Sequence, residues 1–178
     1  AYLGGRRALS YFRTNVEVEI KRDNTPVTRA DKEAETLIRE YIGKYYPSHS
    51  VIGEEHGRTA GDADYRWIID PIDGTVNFAN GIPICCVSVG LEYQGNMLMG
   101  AVFNPNMNEF YLAEKGKGAT LNGHKISVSN KAEVIRSCLV TGFPYNYLDI
   151  ENGPLEVFQK LIKLKSSLYR IIITEKHP

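Results

Sequence analysis

Between residues 30 and 45 apolar side chains recur at spacings of three and four: Ala30, Ala34, Leu37, Ile38, Tyr41, Ile42 and Tyr45. That period places them on one face of an α-helix, with Thr28 as its N-cap and Pro47 as its stop. Residues 2 to 13 mix Leu3, Ala8, Leu9 and Phe12 with Arg6, Arg7 and Arg13, which predicts an amphipathic helix despite Gly4 and Gly5. Asn15 to Ile20 sets Val16, Val18 and Ile20 against Glu17 and Glu19, the alternation of a half-buried strand, and Lys21 to Pro26 reads as a polar loop. From Val51 onward the texture becomes short β-like runs: Val51 to Gly53, Trp67 to Ile69, Ile84 to Glu92, Met97 to Phe103, Glu109 to Ala113, Ile126 to Val128 and Cys138 to Thr141. Gln94-Gly95-Asn96, Asn104-Pro105-Asn106 and Asn122-Gly123 separate several of them, so an antiparallel meander is predicted. Pro154 to Ser167 returns to helical spacing, with Leu155, Phe158, Leu161, Ile162 and Leu164 among lysines. Helices before and after a block of strands predict an α+β layered architecture rather than a doubly wound one, with residues 1–178 as a single domain.

Composition narrows the choice of partner. The 178 residues are 43% hydrophobic, enough to bury a core, and carry 21 basic and 21 acidic side chains. No global field draws the chain to nucleic acid or to an anionic membrane, so phosphate binding has to be local. Cys85, Cys86 and Cys138 form no CxxC pair and have no histidine at zinc-ligand spacing; they are read as core filler in a reducing cytoplasm. No stretch has the length of a membrane span. The abrupt start at Ala1 and the end at Pro178 lead us to expect part of a longer protein.

The segment from Trp67 to Thr75 carries the most chemistry. Trp67, Ile68 and Ile69 predict a buried strand delivering Asp70 to its end, and Pro71 is expected to stop its pairing and force a turn. Two carboxylates three residues apart, Asp70 and Asp73, with the Ile72 carbonyl between them, supply converging hard oxygens of the kind Mg²⁺ prefers. Gly74 permits close approach, and a short helix over Val76 to Ala79 would point N–H groups at a phosphate. Glu54 and Glu55 follow the short run Ile52-Gly53, so a second strand end also presents acids; like-charged groups face each other stably with cations between them. Taken singly, a D-x-x-D-G turn and a Glu-Glu pair are common surface features. Asp31 by itself reads as a first-turn acid completing the N-terminal box of Thr28. His49, His56, His124 and His177 have no ligand spacing and are expected to be surface or structural.

Gly53-Glu54-Glu55, Trp-Ile-Ile-Asp-Pro-Ile-Asp-Gly-Thr at 67 to 75 and Asn77-Phe78 together resemble the inositol monophosphatase family. The resemblance extends upstream to Thr28-Arg29-Ala30-Asp31-Lys32-Glu33-Ala34-Glu35. Downstream it takes in Val87 to Gly90, Gly116 to Ala119, Leu121 to Gly123 and Thr141-Gly142-Phe143-Pro144-Tyr145. It implies a layered αβαβα sandwich with a largely antiparallel sheet, here incomplete at its C-terminus, and Mg²⁺-dependent hydrolysis of a phosphate monoester. By position, Glu54, Asp70 and the Ile72 carbonyl would hold one metal, and Asp70 and Asp73 a second. Substrate would lie against Glu54, Ile72, Asp73, Gly74 and Thr75. Thr75, hydrogen-bonded to Asp31, would act with Glu54 on the attacking water.

The family continues beyond the position of Arg170 into a Gly-Ser-Ala segment and a Trp-Asp motif, where this chain has Ile171 to Pro178. Without that further aspartate the chain alone is expected to be a poor or inactive enzyme. The expected substrate is inositol monophosphate, with histidinol phosphate, fructose bisphosphate and 3′-phosphoadenosine nucleotides as alternatives. The Asn24 to Thr28 stretch is closer to the histidinol-phosphatase type, and Thr141 to Tyr145 to inositol monophosphatase. A homodimer in the cytoplasm, with neither nucleic acid nor membrane as partner, is the expected assembly; a non-catalytic dimerisation module is the competing reading.

Overall fold

The computed structural model describes residues 1–22, 25–59, 61–133, 150 and 153–163. The chain divides into two compact units, Ala1–Ser127 and Val128–Pro178. In the first, helices α1 (Tyr2–Leu9) and α2 (Arg29–Tyr45) pack on each other and on one face of a sheet. Ile38 and Ile42 of α2 meet Val51, Ile69, Val87 and Val89 there, the apolar stripe that the helical period anticipated. Gly4 and Gly5 let α1 come close: a Cβ on Gly5 would lie 2.4 Å from the Phe103 ring and one on Gly4 2.5 Å from Ile38. The helix-weakening glycines are therefore the contact itself.

The sheet has eight strands: β3 (His49–Gly53), β4 (Gly57–Thr59), β5 (Asp62–Asp73), β6 (Cys86–Tyr93), β7 (Asn96–Asn104), β8 (Glu109–Glu114), β9 (Gly118–Leu121) and β10 (His124–Ile126). Their spatial order is β10-β9-β8-β7-β6-β5-β3-β4. From β5 to β10 successive strands pair antiparallel, as the turn signals implied; Gln94 and Gly95, and Asn122 and Gly123, close hairpins at positive φ. The exception matters most for the site. β3 pairs parallel with β5, so Gly53 and Ile69 are register partners and the residues after them lie toward the same end of the sheet.

Three expectations need correction. The strand carrying Trp67 to Ile69 does not stop at Pro71: β5 continues to Asp73, with its register to β6 shifted between Asp70 and Asp73. Pro71 has no N–H to donate and sits in that irregularity, where none is needed. Nor is the apolar run buried throughout, since Ile69 is 3% exposed and Ile68 40%. Third, β1 (Val18–Ile20) is not half-buried: Val18 and Ile20 are both exposed. Its alternation finds no core and the strand is held by backbone pairing to β2 (Pro26–Thr28), which takes up the end of the polar Lys21 to Pro26 segment.

In the second unit α4 spans Pro154–Lys163, with Glu156 in its first turn and Lys160 and Lys163 in its last, the charge order that suits a helix dipole. The predicted Cys138–Thr141 strand, the Thr141 to Tyr145 stretch, the helix beyond Lys163, His177 and the residues after Arg170 lie outside the described residues. No described helix is long and apolar enough to cross a membrane.

Candidate active site

The parallel pairing of β3 and β5 brings Glu54 beside Asp70, and the Glu54 N–H donates to the Ile69 carbonyl at 3.2 Å. Two strand ends thus present acids to the same volume. Past Asp73, Gly74 adopts a φ of 93°, a left-handed conformation that glycine enters without strain, and α3 (Thr75–Ala79) begins. Asn77 Nδ2 donates to the Ile84 carbonyl at 2.8 Å, and Phe78 is buried in the core beneath, so this short helix is anchored on two sides.

Helix α2 braces both strand ends. Its N-cap is a reciprocal box: the Thr28 hydroxyl accepts from the Ala30 N–H at 3.1 Å, and the Thr28 N–H donates to Asp31 Oδ2 at 2.8 Å. Asp31 Oδ1 is left over for a long-range contact and lies 3.0 Å from Thr75 Oγ1, which is also 3.0 Å from the Ile72 carbonyl. Both readings of Asp31 therefore hold together, the helix cap and the tie to Thr75. One helical turn on, the buried Glu35 accepts from the N–H groups of Glu55 and His56.

The electrostatics follow from crowding these acids in a half-dry place. Burial, then the charges of Glu54 and Asp73, push the Asp70 carboxyl from an ordinary 3.8 up to about 8, and it shares a hydrogen bond with Glu54. Asp31 is also raised, by burial that outweighs its bonds to Thr28 and Thr75. Lys21 Nζ lies 2.7 Å from Glu54 Oε1 and 3.1 Å from Glu55 Oε1. Burial works to lower the lysine, but its hydrogen bonds to the two glutamates and their charges win, and its pKa is raised. Glu55 is raised by burial despite that ammonium. The acids thus relieve their repulsion by a shared proton and by a lysine.

Among the described residues, no group of three or more His, Cys, Asp and Glu side chains is drawn into a finished metal-ligand arrangement. The donor set nonetheless fits a hard cation. Asp70 Oδ1 is buried with no hydrogen-bond partner, which an oxygen tolerates poorly unless a ligand completes it, and the acids of Glu54, Asp73 and Asp31 act on it as charged oxygen groups. Of the residues singled out from the sequence, Asp31, Ile72 and Thr75 are joined by hydrogen bonds, and Glu54, Asp70 and Asp73 by mutual electrostatics. Lys21, Glu35 and Arg39 join the site without having been predicted for it. Glu35 has a signal, since it follows Asp31 by one helical turn on the same face, whereas Lys21 is hidden in a polar segment.

Cys85 is buried and Cys86 half-buried, and both thiols are free; burial raises them to about 11 and about 12, which leaves them protonated and inert. His49 accepts from Trp67 Nε1 at 3.0 Å and stacks on Tyr65, a structural placement, while His56 and His124 are exposed.

Residues 2–170 match the profile of the "Inositol monophosphatase family". The chain is 40% identical to Nus factor SuhB of Pasteurella multocida, over 75% of this chain and 50% of the relative. It is 44% identical to the histidinol-phosphatase of Chlorobaculum parvum, over 76% of this chain and 53% of the relative. Among solved structures, the inositol monophosphatase from Anabaena superposes with a TM-score of 0.81 at 33% identity, covering 96% of this chain and 62% of that one. The chain spans about half the length of the curated relatives it matches. The α+β layered fold and the order of the motifs agree with that profile match, and the chain belongs to the inositol monophosphatase family.

Proposed function

We propose that this chain supplies the metal- and phosphate-binding part of a Mg²⁺-dependent phosphatase acting on a small phosphorylated alcohol, with inositol monophosphate as the leading substrate. The observation that carries the reading is the buried, partnerless Oδ1 of Asp70 among acids from two strand ends. Glu54, Asp70, Asp73 and the Ile72 carbonyl would hold Mg²⁺, which supplies charge neutralisation for the phosphoryl group and an activated water. Thr75 Oγ1, within reach of both Asp31 and the Ile72 carbonyl, orients the attacking water together with Glu54. The backbone amides of Gly74 and Thr75 receive phosphate oxygens at the start of α3. Histidinol phosphate, fructose bisphosphate and 3′-phosphoadenosine nucleotides are the alternative substrates, and the relatives' names span more than one of these activities.

The test is phosphate release from this panel by the protein carrying these residues, with and without Mg²⁺, and with Asp73→Asn as control. Mg²⁺-dependent release that Asp73→Asn abolishes supports the reading, and release indifferent to both refutes it.

A second reading, an interaction module, is favoured by an apolar cavity of about 430 Å³ beside α1 and α2, lined by Tyr2, Leu3, Ile38, Tyr41, Tyr46 and Trp67. A homodimer is proposed on the same surface, and sedimentation as a monomer at micromolar concentration would argue against it. A cytoplasmic location is proposed on the free thiols of Cys85 and Cys86, and would be contradicted by a secreted parent protein.

A further inference from the structure

Glu35 spends a fully buried carboxylate on backbone. Its Oε2 accepts from the Glu55 N–H at 2.7 Å, and its Oε1 from the His56 N–H at 3.2 Å and from Arg39 Nε at 2.6 Å. Arg39, one turn further along α2, reaches past Glu35 to the returning strand: Nη1 donates to Thr59 Oγ1 at 2.6 Å and Nη2 to the Gly57 carbonyl. On the same helix the Lys32 carbonyl and the Thr36 hydroxyl each lie 3.0 Å from His56 Nε2. Every residue from Glu55 to Gly57 is thus bound to α2.

We propose that Glu35 is a positioning residue for divalent-cation binding, holding through the Glu55 and His56 amides the turn that aims Glu54 at Asp70. The proposal deepens the metal reading above and rests on it. Two features carry it. The first is where the acceptors go: a buried ion pair is weak evidence for stability, and this carboxylate accepts from the two amides that follow Glu54. The second is Gly53. A Cβ at that position would lie 2.0 Å from Glu35 Oε1 and 2.3 Å from its Cδ, so the carboxylate occupies the space that any other residue would fill. The last residue of β3 is bare because Glu35 passes there on its way to the turn.

The arrangement makes α2 a ruler. Asp31 fixes Thr75, and Glu35, four residues later, fixes the 54–56 turn, so the separation of the two acid-bearing segments is set by one turn of one helix. A glutamine at position 35 cannot substitute. Its amide has one acceptor oxygen, and the nitrogen would face an N–H donor on either side of the carboxylate site. The turn would then loosen at the Glu55 and His56 amides without any change in the ligands themselves.

The experiment titrates Mn²⁺ into the metal-free protein, read by electron paramagnetic resonance, for wild type, Asp70→Asn, Glu35→Gln, Gly53→Ala and the Glu35→Gln/Gly53→Ala double variant. Amide hydrogen exchange is followed in parallel. Glu35→Gln and Gly53→Ala are each expected to weaken Mn²⁺ about tenfold or more, the usual effect of removing a group that orients a ligand. The double variant is expected to fall within about threefold of the weaker single, because both changes break one device. Exchange protection should be lost at Glu55 and His56 and kept at Ile38 and Ile69. A folded Glu35→Gln that binds Mn²⁺ like wild type, while Asp70→Asn does not, overturns this proposal alone. Effects that multiply in the double variant overturn it as well. Equal Mn²⁺ binding by wild type and Asp70→Asn overturns the metal reading and this proposal with it. Should Glu35→Gln fail to fold, Gly53→Ala decides by the same criterion.

Discussion

The two acid-bearing strand ends, Asp70 to Thr75 and Glu54 to His56, are both tied to α2, the first through Asp31 and the second through Glu35. They manage their charge in different ways. At the first end Asp70 is partly buried and has a buried, partnerless Oδ1, and burial with the charges of its neighbours pushes its carboxyl up to about 8. At the second, Glu54 and Glu55 meet it with a counterion from the chain, the Lys21 ammonium. One end keeps a buried oxygen without a hydrogen-bond partner, and the other has a cation of the chain at hand. Geometry can be shared by two loops on one helix while the electrostatic solution is local to each.

The comparison breaks most directly at the ligands. If both ends hold cations together with Asp70, Asp70→Asn and Asp73→Asn should each lower Mg²⁺-dependent hydrolysis by about 10³-fold, the scale of losing a main charge-stabilising group. Thr75→Ala, which removes a hydroxyl held between Asp31 and the Ile72 carbonyl, should cost about 10²-fold in kcat with KM little changed. Steady-state kinetics at saturating Mg²⁺ checks both. Equal, small losses at all three positions would show that the first strand end is not the reacting one.

A stability measurement sharpens the same contrast. Asp70 has a folded-state pKa of about 8 against 3.8 for the free side chain, so between those values the folded chain binds one proton more than the unfolded chain. Stability contributed by that proton is complete below pH 3.8 and is lost as pH rises through 8, which makes the slope negative. The difference in urea midpoint between wild type and Asp70→Asn in EDTA should therefore move against wild type from about pH 5 to about pH 8. Mg²⁺ should restore the wild-type value at the upper end of that range. A difference between wild type and Asp70→Asn that does not change over this range would contradict the assignment.

The smallest effect is expected at Lys21. Replacing it with Met removes a cation that competes for Glu54 and Glu55, so Mg²⁺ should bind about three- to tenfold tighter, in line with a partly exposed ion pair. Weaker Mg²⁺ binding in Lys21→Met would assign the lysine to ligand binding instead of charge balance.

Much of this architecture is legible in the sequence. The period of α2, the hairpin turns at Gln94-Gly95 and Asn122-Gly123, and the acids at 54, 70 and 73 are local signals, each contained in a few residues. Pairing is not local. The parallel register of β3 with β5, which sets Glu54 beside Asp70, depends on residues far apart in the chain, and β4 between them is only three exposed residues. Pro71 misleads because a proline stops a ladder only where an N–H is needed, and the irregularity in β5 needs none. Glu35 stays hidden for a related reason: its partners are main-chain amides about twenty residues on, and a sequence does not mark which amides face a helix.

Glu54 and Asp73, brought to Asp70 from the two strand ends, would each hold a divalent cation together with it. Calorimetric titration of Mg²⁺ into the metal-free protein at about pH 8 tests this central claim most directly, comparing wild type with Glu54→Gln and with Asp73→Asn. Saturable binding in wild type that either substitution, one on each strand end, weakens by about tenfold or more is the expected result. Binding that survives Glu54→Gln and Asp73→Asn alike would mean that the two ends do not hold cations with Asp70.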